Sequence, residues 1–329
     1  MTLKTTFLGA AAALALTSGA ALADPALIFD LGGKFDKSFN ESSYNGAERW
    51  AAETGGTYRD LELQSDAQRE QALRRFADNG FNPIVMAGFS FSTALETVAA
   101  DFPDTKFVII DGVADAPNVR SIVFKEEEGS YLAGIAAAYA AEGDTVSFIG
   151  GMDIPLISKF ACGYAQGFKS VKPEGNVIVN MTGTTPAAWN DPVKGGELTR
   201  AQKSAGSEVV FAAAGGTGLG VLQTAADEGM LAIGVDSNQN YLQPGHVLTS
   251  MVKRVDNAVY DAFTQGADIE TGLFVMGLEN EGVALAIDEY NEALITPEMK
   301  AAIDEATAKI ISGDVVVHDY MSDETCPAY

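Results

Sequence analysis

The chain has 329 residues, with 45 acidic against 21 basic side chains and a formal charge of −24 at neutral pH. So negative a surface repels phosphate backbones and anionic headgroups, which argues against nucleic acid and membrane surfaces as partners. The length exceeds what one hydrophobic core usually spans and calls for two lobes.

The chain opens with an export-type leader over residues 1–23: Lys4, an apolar middle, and Ala21-Leu22-Ala23 as a small-x-small cleavage site. Cleavage near Ala23 would release the mature chain into a periplasm, and no Cys stands at that site to carry a lipid. Two cysteines, Cys162 and Cys326, make an even pair in an oxidising compartment. A disulfide between them would tie the C-terminal tail to the second lobe.

The first unit is Leu27–Gly56. Leu27–Phe29 reads as a short buried strand closed by Asp30, and Gly32-Gly33 ends it. Ser38 and Glu41 stand at the spacing of a capping box, so a helix should begin there and end at Gly55 in a left-handed cap. Strand and helix then alternate: strands at Thr57–Leu63, Pro83–Ala87, Lys106–Ile110 and Ser121–Phe124, helices at Asp66–Asn79 and Ser92–Asp101. This is the pattern of a doubly wound parallel α/β lobe, whose ligands sit beyond the carboxyl ends of its strands.

Lys125–Gly129, KEEEG, opens a small-residue helix, Ser130–Ala141, that carries the chain to a second lobe, where the pattern restarts. Strands are expected at Thr145–Ile149, Asn176–Met181, Glu208–Ala214, Leu231–Val235 and Val247–Met251, with helices at Ile154–Val171, Asp191–Ala205 and Leu219–Gly229. A helix over Asp256–Gly266 returns to the first lobe. Phe274–Leu278 and Val283–Ile287 are strand-like, Pro297–Ile311 is helical, and the tail from Val315 reads as a short strand with an irregular end.

Asp30, Asp111 and Asp236 each follow an apolar strand at its carboxyl end. One such Asp often does no more than cap a turn. Three facing one crevice would suit the hydroxyl or N–H donors of a neutral ligand, because an ionised carboxylate only accepts hydrogen bonds. Phe39, Phe89, Trp189 and Phe211 lie near these polar groups and offer flat faces, although Phe211, inside an apolar strand, reads more readily as core. The glycines from Gly215 to Gly220 lack both the P-loop ending and the dinucleotide spacing. His246 and His318 have no metal-ligand partners at suitable spacing, and no nucleophile elbow occurs. No metal or cofactor is expected.

Eight ordered motifs, DKSFN (36–40), FPDTKFVIIDG (102–112), FKEEEGSYLAG (124–134), FIGGMDIP (148–155), WNDPVKG (189–195), AAGGTGLGV (213–221), IGVDSNQ (233–239) and LTSMVKR (248–254), carry a resemblance. The chain resembles the basic membrane protein (BMP) family of purine-nucleoside-binding proteins that serve ABC transporters. The resemblance implies a type I periplasmic binding protein-like fold: two doubly wound α/β lobes with a ligand cleft between them. Residues 24–125 and 252–280 would form the first lobe, and 126–251 and 281–329 the second.

The resemblance further implies a monomeric, non-enzymatic binder that closes on a purine nucleoside or base and delivers it to an ABC permease. By motif, Phe39 would stack on the base and Asn40 bond it, with Asp111 also facing it. Asp236 and Lys253 would hold ribose hydroxyls, and Gly216 would give a backbone contact. Asp30 would be the strand-end carboxylate ahead of the first motif, and either Phe211 or Trp189 the second stacking ring. A sugar or other small polar solute is the alternative ligand, and a carboxylate-based nucleoside hydrolase the alternative activity.

Overall fold

A computed structural model describes residues 23–328, so most of the expected leader lies outside the described residues. The first lobe is built from β1 (Ala26–Phe29), α1 (Phe39–Thr54), β2 (Arg59–Glu62), α2 (Arg69–Asp78), β3 (Ile84–Ala87), α3 (Ser92–Ala99), β4 (Phe107–Ile110) and β5 (Val119–Phe124). Then come α4 (Glu126–Ala140), β6 (Thr145–Met152), α5 (Pro155–Val171), β7 (Asn176–Gly183), α6 (Pro192–Ser204), β8 (Val209–Ala213), α7 (Thr217–Asp227), β9 (Leu231–Asp236) and β10 (Val247–Lys253). The chain finishes with α8 (Val255–Gln265), β11 (Gly272–Met276), β12 (Val283–Leu285) and α9 (Pro297–Ser312).

Among the described residues the strands form two six-stranded sheets, β2-β1-β3-β4-β5-β11 and β7-β6-β8-β9-β10-β12. All pairings are parallel except β10 with β12. The two sheets are wound alike. Each starts on an inner strand, turns outward once, and reverses past its start, which opens a crevice at the carboxyl ends beside β1 and β6. Inner strands such as β1, β3, β4 and β8 are buried throughout, because helices cover both faces. Their apolar runs therefore show no alternation.

The chain crosses between the sheets after β5, after β10 and after β11. On its return to the first lobe α8 lies across α1, where the Asp256 N–H donates to Ser42 Oγ (3.2 Å). Val252 and Lys253 belong to β10 of the second sheet, whereas the expected boundary placed them in the first lobe. The acidic run 126–128 lies inside α4 rather than ahead of it, where carboxylates favour the positive end of the helix dipole.

Two local expectations are corrected. Ser38 sits at the N-cap of α1, but its side chain makes no capping hydrogen bond. Asp36 takes that role: Oδ1 accepts from the N–H groups of Ser38 (2.8 Å) and Glu41 (3.1 Å), and Oδ2 from that of Asn40 (3.1 Å). Glu41 instead accepts from the N–H of Lys37 and pairs with its ammonium. The expected tail strand is absent; residues 315–319 are irregular and a 3₁₀ turn follows at Tyr320–Ser322.

What fixes the tail is α5. Gln166 pairs with the backbone of His318 in both directions (3.0 and 2.9 Å), and Cys162 forms the disulfide with Cys326.

Candidate ligand-binding site

The carboxyl ends of the two sheets face each other across one cavity. From the first lobe it is lined by Asp30, Leu31, Asp36, Phe39, Asn40, Gly88, Phe89 and Asp111. The second lobe supplies Leu156, Ile157 and Phe160 from α5, Trp189, the turn after β8 at Ala213–Gly215, Val235 and Asp236 from β9, and Lys253 from β10. Of the residues expected from sequence, Asp30, Phe39, Asn40, Phe89, Asp111, Trp189, Asp236 and Lys253 are brought together here.

Phe211 is not. Its ring is fully buried in the second lobe against Phe148 (5.4 Å between centroids), Phe160 and Tyr164. β8 is covered on both faces, and this ring takes the core side. In the turn that follows, Gly215 lines the cavity and Gly216 stands one residue behind it at the start of α7. Trp189 is therefore the ring that the second lobe presents from a turn. It lies flush against β6 because residue 151 is glycine: a Cβ there would come within 2.1 Å of the indole.

Each strand-end carboxylate is held differently. Asp30 is anchored by Arg69, whose guanidinium is 2.5 Å from Oδ1. Gly88 leaves room for the other oxygen, since a Cβ at that position would lie 2.6 Å from Asp30 Oδ2. Asp111 and Asp236 both adopt left-handed backbone, φ 63° and 62°, where Asp is better tolerated than most residues. Asp236 Oδ2 accepts from Ser38 Oγ across the cleft (2.5 Å). Asp111 Oδ2 lies 2.5 Å from Lys253 Nζ, while its Oδ1 is buried without a partner.

Asn40 has one amide face engaged: Nδ2 donates to the carbonyls of Asp30 (3.2 Å) and Gly33 (3.1 Å). Its Oδ1 is buried and unpaired. The cavity thus offers two unused acceptors, Asn40 Oδ1 and Asp111 Oδ1.

Lys253 is almost wholly buried, 1% exposed, and bonds Asp111 and Glu126 Oε1 (3.1 Å). The rings of Phe39, Phe124 and Phe160 surround its ammonium at 5.1–5.4 Å. Burial alone would lower its pKa, but Asp111, Glu126 and Asp236 outweigh that and raise it, so it stays charged. Two of its three N–H donors are engaged by Asp111 and Glu126.

Burial pushes Asp111 up to about 7 against the pull of Lys253, and raises Asp236 as well. Asp36 also rises to about 7 through burial, despite three backbone donors. The cavity is acceptor-rich, with one ammonium already shared between two carboxylates. Among the described residues it has no free cation to neutralise a phosphate.

The closed arrangement is held by polar bonds that join the lobes. Besides Ser38 with Asp236 and Lys253 with Asp111, Ser237 Oγ donates to the Ser38 carbonyl (3.0 Å) and Gln239 Nε2 to that of Lys37 (2.9 Å). Among the described residues no group of His, Cys, Asp and Glu could hold a metal, and neither histidine lines the cavity.

Sequence reasoning missed Asp36, Phe160 and Glu126. Asp36 carried a signal, standing two residues before an expected N-cap, whereas Phe160 reads as an ordinary apolar position of α5.

Two α/β lobes of this winding, closed over a cavity at their strand ends, are the type I periplasmic binding fold found in ABC solute-binding proteins. Residues 25–319 match the family described as ABC transporter substrate-binding protein PnrA-like, and the chain belongs to that family, the Bmp family. It is similar, at 34% identity, to the ABC transporter nucleoside-binding protein BmpA of Lactococcus lactis subsp. cremoris, over 92% of this chain and 91% of that one. An uncharacterized lipoprotein of Pyrococcus horikoshii is 33% identical over 78% of this chain and 67% of its own. Among solved structures, an ABC transporter system solute-binding protein from Aeropyrum pernix K1 superposes with a TM-score of 0.81 at 27% identity, covering 90% of this chain and 94% of that one. The protein is an ABC transporter substrate-binding protein. Among the described residues no helix is long and apolar enough to cross a membrane.

Proposed function

We propose that the protein binds a purine nucleoside in the cavity between its lobes and hands it, without chemical change, to the permease of an ABC importer at the outer face of the inner membrane. The observation that carries this reading is the pairing of aromatic faces with unused acceptors. Phe39, Phe89 and Trp189 line the same cavity as Asn40 Oδ1, Asp111 Oδ1 and Asp236. A purine ring supplies a π-face and N–H donors, and ribose supplies hydroxyl donors, so a nucleoside satisfies both sets at once. The printed name of the Lactococcus relative supports the same ligand class.

Phe39 and Asn40 are assigned to the base together with Asp111, and Asp236 and Lys253 to the ribose. A free sugar could lay a C–H face on one ring and donate its hydroxyls, but it has no π-face to stack between aromatic walls. Closure over the ligand desolvates the ring and places the strand-end carboxylates as the discriminating acceptors.

Inosine incubated in molar excess over the protein is expected to be recovered intact after denaturation, with no hypoxanthine on chromatography. Release of base beyond one equivalent would replace this reading with a hydrolase.

A further inference from the structure

The acidic run Glu126-Glu127-Glu128 is buried, which is unusual for carboxylates at the start of a helix. Each member has a partner elsewhere in the fold. Glu126 Oε1 meets Lys253 at the end of β10 (3.1 Å), and its other oxygen meets Lys159 of α5 (3.1 Å). Glu127 also pairs with Lys159 (3.1 Å). Glu128 accepts from the N–H of Leu278, between β11 and β12 (2.9 Å). Through these bonds the first turn of α4, at the first crossing between lobes, is tied to the second and third crossings.

Lys159 closes the set. Its Nζ donates to the Phe124 carbonyl at the end of β5 (2.7 Å) and lies 3.6 Å from Asp319 in the tail. The side chain is nearly as buried as Lys253, and burial is outweighed by Glu126, Glu127 and Asp319, which keep it charged. Lys159, Cys162 and Gln166 fall at i, i+3 and i+7 on one face of α5, and each meets the tail: at Asp319, Cys326 and His318. That face of α5 therefore joins the tail to the crossing strand and, through Glu126, to the cavity.

Glu126 has no rotational freedom to spare. With one oxygen on each lysine, its position is set from behind by Lys159 and its front oxygen sets Lys253. Glu126 is itself held low: burial raises its pKa, but Lys253 and Lys159 together more than offset this.

We infer that Lys159 and Glu126 are positioning residues, a buried relay that fixes the ammonium of Lys253 in the cavity and so sets the preference for nucleoside over free base. This rests on the assignment of Lys253 to ribose made above. The ion pair of Lys159 with Glu126 and its hydrogen bond to the β5 carbonyl hold the relay; the tail clamps α5 from outside.

The test is calorimetric titration of ligand-stripped protein with inosine and with hypoxanthine. Lys159→Met keeps the apolar stem and removes the ammonium. It is expected to lower the ratio of inosine to hypoxanthine affinity about fivefold or more, mainly through weaker inosine binding. An unchanged ratio, whether both affinities hold or fall together, overturns the relay, because a merely structural role would weaken both ligands alike. Should Lys159→Met not fold, Glu126→Gln reads the same ratio with nearly unchanged shape, and the same fall is expected. Unaltered protein that binds neither compound would overturn the purine reading itself, whereas a normal wild-type ratio with no change in the variants overturns the relay alone.

Discussion

Lys253→Met should be the most damaging single substitution in the cavity, costing about 3–5 kcal/mol of stability, because it removes one partner from a buried ionic cluster and leaves the others. Lys253 is 1% exposed, and the side chains of Asp111 and Glu126 on either side of it are also buried. Methionine fills the space of the stem but offers neither carboxylate a donor. The loss should depend on pH in a defined direction. Lys253 now lowers the pKa values of Asp111, Glu126 and Asp236, so its removal raises Asp111 and Asp236 further above their unfolded values and lets Glu126, held below its own, rise as well. A folded state that binds more protons than the unfolded state loses stability as pH rises. The gap between wild type and variant should therefore be small near pH 5 and widest above pH 7, as urea denaturation at several pH values would show. A constant gap would mean that the ammonium does not compensate these carboxylates.

Asp236→Asn should weaken inosine binding more than tenfold with little change in the melting temperature. The carboxylate can accept from both ribose hydroxyls, and charge-assisted hydrogen bonds contribute about 1.5–3 kcal/mol each, against about 1.4 kcal/mol per decade of affinity. Asparagine keeps an oxygen for Ser38 Oγ and tolerates the left-handed backbone at φ 62°. Asp236→Ala should lose affinity at least as far and also cost about 1 kcal/mol or more, since alanine is strained there. Equal dissociation constants for wild type and both variants would remove Asp236 from the ligand.

The alternation of strands and helices was legible because each element is short, apolar and punctuated, and the three strand-end aspartates stood out for the same reason. Asp30, Asp111 and Asp236 occupy fixed places at the carboxyl ends of β1, β4 and β9, so knowing the strands located them. Phe211 shows where this stops. In a strand buried on both faces every position is apolar, and no period tells the core side from the cavity side.

The capping box failed for a different reason. Ser38 and Glu41 have the correct spacing, but Asp36 reaches both N–H groups that the box would use and that of Asn40 as well, and the Ser38 hydroxyl is drawn across the cleft by Asp236. That contact spans 198 positions in the chain. The links from Glu126 to Lys253 and to Lys159 are also long-range, and Glu126 and Lys159 look like solvated helix charges in sequence. Pairings of this kind follow from the winding of the lobes, which local pattern does not contain.

The central claim is that the cavity between the strand ends holds a purine nucleoside. Mass spectrometry of small molecules released by denaturing the protein purified from its source cells tests this most directly. The account predicts a purine nucleoside at close to one per chain; a sugar in that stoichiometry, with no purine, would contradict it.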